Sequence, residues 1–146
     1  MTETPDKATQ ALLSTRIIWA MMLAGQLMLL LVVAVVLGTG FIEGTEMPMF
    51  GWVAVGLLVV VVPVAHIVRA QIYKAGWQGE SINPNAHATG TLAYLALLEM
   101  AGVVGLIAVL LTGAWLPGIV PPAVAIILQA VNYPHGKPMK PTPAQA

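Results

Sequence analysis

Glu99 is the residue best placed to do chemistry. It stands 11 residues into an apolar run of 24, Thr89 to Thr112, that holds no other formal charge. A carboxylate charge in hydrocarbon costs about 2.5–3.5 kcal/mol on insertion scales, so Glu99 should keep its proton or take a cation. That makes it a proton or cation site, or else a neutral acid hydrogen-bonded to a neighbouring helix. Gln26 lies at similar depth in the uncharged run Ile17 to Leu37. Its carboxamide can accept from a protonated acid and donate in return, so it is the expected partner of Glu99. His66, three residues before Arg69 in the chain, is the secondary candidate. Helix rise puts it about 10–12 Å from the depth of Glu99, so only a water-linked route would join them. By itself it reads as a solvated histidine at the membrane boundary. His87 and His135 fall in a connector and a tail, and the three histidines lack metal-ligand spacing. With no cysteine in the chain, disulfides, thiol catalysis, iron–sulfur clusters and covalently attached haem are excluded. No phosphate loop, nucleophile elbow or catalytic carboxylate pair occurs, and neither a metal nor a cofactor is expected.

The elements that must hold these residues follow from composition. Of 146 residues, 58% are hydrophobic and 8% charged, against about 25% charged in a soluble domain. A zero net charge gives no basic surface for nucleic acid. The expected fold is an all-α membrane protein. Four transmembrane helices at about 17–37, 47–68, 89–112 and 115–133 would form two hairpins in a compact bundle, a single domain over residues 1–133. The fourth span is the weakest, because Pro117, Pro121 and Pro122 interrupt it. Its helix should settle only after Pro121 or Pro122, and be short or tilted. The first run, at 21 residues, is too long for a signal-peptide core. Thr4-Pro5-Asp6 has the order of a helix start. Most aromatic residues lie near span ends, as interfacial rings do, and only Tyr94 is deeper.

All six basic residues fall on one face of this arrangement: Lys7, Arg16, Arg69, Lys74, Lys137 and Lys140. The opposite loop carries Glu43 and Glu46 and no base. Both termini are therefore expected in the cytoplasm, and the location to be a bacterial cytoplasmic membrane. The connector Ala70 to Ala88 reads as a solvated turn region, with docking through Trp77 as the alternative. The Pro-rich tail, residues 134–146, is expected to be extended and mobile, its lysines reaching anionic lipid. Gly90, Ala101, Gly105 and Ala108 form a small-residue stripe roughly opposite Glu99, fit for close helix packing. A faint likeness between the two halves pairs Gln26 with Glu99 at matching depths.

The segment Leu97 to Leu110, with Glu99 followed by Met100-Ala101-Gly102-Val103-Val104-Gly105-Leu106, resembles the carboxylate helix of rotary ATPase proteolipid (c-type) subunits. With the preceding polar loop at Asn83-Pro84-Asn85, which fits the family's hairpin orientation, the resemblance covers about a fifth of the chain. It implies that Glu99 is a proton-binding carboxylate on the second helix of a hairpin. The family's partner helix carries alternating glycines, whereas the run before Val68 has only Gly51 and Gly56. The expected role is a non-catalytic accessory or assembly subunit of a larger membrane complex, with a proton- or cation-translocating proteolipid-like subunit as the alternative. The expected partners are the lipid bilayer and other membrane subunits or further copies of the chain.

Overall fold

The structure, a computed structural model, describes residues 7–40, 44, 47 and 49–139. The proposed helix start at Thr4–Asp6, the acids Glu43 and Glu46, and the tail from Lys140 lie outside the described residues. In chain order the elements are α1 (Lys7–Gly38), α2 (Met49–Ala75), strands β1 (Trp77–Gln78) and β2 (Ser81–Ile82), α3 (Pro84–Thr112), α4 (Val120–Val131) and a single 3-10 turn, Lys137–Met139. Helices α1, α2 and α3 are long and apolar enough to cross a membrane. The chain thus has the make-up of an integral, multi-pass membrane protein.

The three long helices run past their apolar cores, and all on the same end. α1 begins ten residues before Ile17, α2 continues seven beyond Val68, and α3 begins five before Thr89. Those extra turns carry four of the six basic residues, Lys7, Arg16, Arg69 and Lys74. The connector between α2 and α3 is correspondingly short. β1 and β2 form a two-stranded antiparallel hairpin, Trp77 opposite Ile82, turning at Gly79, whose φ of 62° favours glycine. Ile82 is buried beneath it, while Trp77 stays exposed. Asn83 and Pro84, read from sequence as turn residues, start α3. The Asn83 side chain accepts from the Asn85 backbone N–H at 2.9 Å, and Pro84 takes the first turn. At the other end Gly113 closes α3 in the left-handed region, its N–H donating to Val109 at 2.9 Å.

Helix α4 has 12 residues, about 18 Å of rise, short of the roughly 30 Å hydrocarbon core. The prolines explain both where it starts and how it can start at depth. A helix start leaves four N–H groups without partners. Here Pro121 and Pro122 have none to leave. Val120 donates to the Pro117 carbonyl at 3.1 Å, and Ala123 to Ile119 at 3.1 Å. No side-chain cap is used or needed. This start sits against Gly105, seven residues before the end of α3, hence about 10 Å inside it.

α3 is the hub. α2 packs along it, and α1 and α4 pack on its other sides, touching each other. α1 and α2, successive in sequence, meet α3 from two directions and share little contact of their own. The core is three apolar clusters along α3: Tyr94, Leu95 and Leu98 with Ala65 and Ala125; Ala101 with Leu58 and Val61; Leu106 and Val109 with Val33. The small-residue stripe makes the close approaches. Gly90 faces the Tyr73 ring, and Gly105 faces Pro122, Pro121 and the Gly118 carbonyl, with no room for a methyl group at either. The first residues after α4 do not run free. Pro134 is buried and Met139 is 8% exposed, because the 3-10 turn packs against β2 and α3.

Candidate functional site

The mid-membrane polar residues do not form the pair that their depth suggests. Gln26 is buried in the face that α1 turns to α3, and its Nε2 lies against Gly102. Gly102 is three residues beyond Glu99, so the two polar side chains do sit within one helical turn of depth. Yet neither amide atom of Gln26 has a hydrogen-bond partner among the described residues. Glu99 is half-buried and makes no hydrogen bond or ion pair among the described residues.

The helix wheel gives the reason. At about 100° per residue, Gly102 and Leu106 point to α1, Ala101 and Gly90 to α2, and Gly105 to the start of α4. The remaining strip, Ala96, Met100, Ile107 and Leu111, is exposed. Glu99 lies on the rim of that open strip, on the α1 side, rather than in the seam where Gln26 points.

A second buried amide shares the core. Gln129 of α4 is fully buried and its side-chain atoms too have no partner among the described residues, while its backbone carbonyl accepts from the Trp19 indole at 2.9 Å. Sequence reading passed over it because it lies in the weakest span. Its signal was a lone polar residue following Ile126-Ile127-Leu128.

Toward the basic end, a polar network ties three helices. Arg69 of α2 donates to the Asn132 Oδ1 at 3.0 Å, and the Asn132 amide donates to the Tyr94 hydroxyl at 3.3 Å and to the Leu128 carbonyl at 2.9 Å. The Arg69 guanidinium also lies over the rings of Tyr73 and Tyr94, at 5.1 and 5.3 Å. The Tyr73 hydroxyl pairs with Thr91 at 2.8 Å, and its ring stacks on His87 at 5.4 Å. His87, read as a connector residue, is buried in the first turn of α3. His66 is exposed, with Nδ1 2.9 Å from the Val62 carbonyl and its ring edge-on to Tyr94 at 4.9 Å. It joins this end network and not Glu99. No sequence spacing announces such a cluster, since its members come from α2, α3 and the end of α4.

Among the described residues no three His, Cys, Asp or Glu side chains gather at one point. The polar groups can exchange hydrogen bonds and protons, and they fix helix positions. Compared with protein-family models, curated proteins and solved structures, the chain has no match.

Proposed function

We propose that this protein is a non-catalytic accessory or assembly subunit of a larger membrane complex, docking laterally through the open strip of α3 with Glu99 as its polar contact. One observation carries the reading. Glu99 is a mid-span acid with no hydrogen-bond or ion-pair partner among the described residues, on the rim of the face of α3 that α1, α2 and α4 leave uncovered. Desolvated polar groups in lipid favour a partner helix that can hydrogen-bond them. The bundle would lie in a bacterial cytoplasmic membrane, four helices deep, with both termini on the cytoplasmic side.

A second reading has its own observation. The unsatisfied Gln26 amide lies within a turn of Glu99, inside the adjacent seam. An acid open to a partner surface and backed by an amide also suits a proton or cation carrier, as the resemblance to proteolipid subunits implies.

The paired test is the abundance of the assembled complex and proton flux into membrane vesicles, for Glu99→Gln and Glu99→Ala. A docking acid is replaced well by an amide, so Glu99→Gln should keep both readouts while Glu99→Ala lowers complex abundance. Flux lost by Glu99→Gln at normal abundance would replace the docking reading with the carrier one. Normal abundance and flux with Glu99→Ala would remove Glu99 from both.

A further inference from the structure

The first turns of α1 and the segment after α4 enclose a recess of about 260 Å³, lined by Leu12, Arg16, His135, Gly136 and Lys137. Among the described residues, two cations and an imidazole line it, and no carboxylate does. That is many times the roughly 10–15 Å³ needed to hold one water, room for a phosphodiester and some of its hydration.

The recess is built rather than incidental. Arg16 is fixed twice: its Nε donates to the Pro134 carbonyl at 3.3 Å, and its guanidinium lies 5.1 Å from the centre of the Tyr133 ring. These contacts leave the two Nη nitrogens without a protein partner among the described residues. Tyr133 is itself set edge-on against Trp19 at 5.1 Å, and Trp19 is tied to α4 through the Gln129 carbonyl. The far wall is equally close, since a side chain on Gly136 would meet Leu12. A planar, pre-oriented guanidinium beside a mobile ammonium is the pairing that recognises phosphate oxygens.

Its height in the molecule identifies the source of the phosphate. The recess stands just outside Trp19 and Tyr133, rings that favour the water–lipid boundary. Deeper along α1 the surface turns apolar, with Ile17, Ile18 and Met21 exposed. A group held at Arg16 and Lys137 therefore has headgroup height, with hydrocarbon below. We infer that this recess is a binding site for the phosphate of an anionic phospholipid.

The test is native mass spectrometry of the full chain released from micelles that contain equal phosphatidylglycerol and phosphatidylcholine. The unaltered protein should retain phosphatidylglycerol selectively, and added inorganic phosphate should not displace it. Lys137→Gln and Arg16→Gln should each lower retention about five-fold, the equivalent of about 1 kcal/mol per basic residue. Lys137 is exposed and its side chain makes no hydrogen bond or ion pair among the described residues, so it reports binding even where Arg16→Gln unfolds the chain. Lys74→Gln removes a charge from the same end but outside the recess and should change nothing. Equal retention of the two lipids, displacement by inorganic phosphate, or an equal loss with Lys74→Gln would each overturn the site.

Discussion

The two buried amides leave four side-chain atoms without a partner among the described residues, and unpaired polar groups are costly in a membrane bundle. Removing one partner of a buried hydrogen bond is destabilising, but replacing a group that has no partner removes only its desolvation penalty. Gln26→Leu and Gln129→Leu, similar in volume, are therefore expected to raise stability, each by about 1 kcal/mol, in denaturant or thermal unfolding in one fixed detergent. A loss of stability for either would show that its amide has partners in the membrane. If Gln26 serves Glu99 in proton transfer, its more stable variant should also be the less active one. The legibility of these residues differs for a physical reason. Glu99 and Gln26 stood out because polarity in the centre of an apolar run is costly. Their mutual geometry did not, since depth fixes only one coordinate and the helix azimuth decides who meets whom. Arg69, Tyr94 and Asn132 gave no sign of meeting, because the register between α2, α3 and α4 is set by packing.

Helix existence and type were readable along the chain from hydropathy, and helix ends were not. Hydropathy reports where lipid stops; α1, α2 and α3 continue past that point, as backbone bonding does not require an apolar surface. The start of α3 was marked all the same, by Asn83 and Pro84, which serve as cap and first-turn residue rather than as a loop. The small-residue stripe carries a direct test. Gly105 faces two proline rings and a carbonyl, neighbours that cannot rotate away. Gly105→Leu should reduce folded yield and stability by at least about 2–3 kcal/mol, in the upper range of overpacking. Val103→Leu, at a half-buried position, should cost less than about 1 kcal/mol, as volume-tolerant apolar swaps do. Equal behaviour in a thermal-stability assay would remove the close seam between α3 and α4.

For the molecule as a whole, the long helices project their extra turns at one end, where Arg16, Arg69, Lys74 and Lys137 lie. The proposed orientation rests on the positive-inside bias, which would place that end in the cytoplasm. Compartment-sensitive reporters fused after Lys137 and after Gly40 should report opposite sides, with Lys137 cytoplasmic; Lys137 outside would invert the arrangement. α3, which carries Leu97–Leu110, is a hub with three unequal neighbours. The inequality has a mechanical consequence. α4 spans about 18 Å while the helices beside it span about 40 Å or more, and tilting would only shorten its reach across the lipid. The bilayer must adapt on that flank, and hydrophobic mismatch costs fractions of a kcal/mol per Å. The protein should consequently be most heat-stable in short-chain lipid and lose stability steadily as acyl chains lengthen. Such a dependence would draw it, in a membrane of uneven thickness, toward the thinner patches.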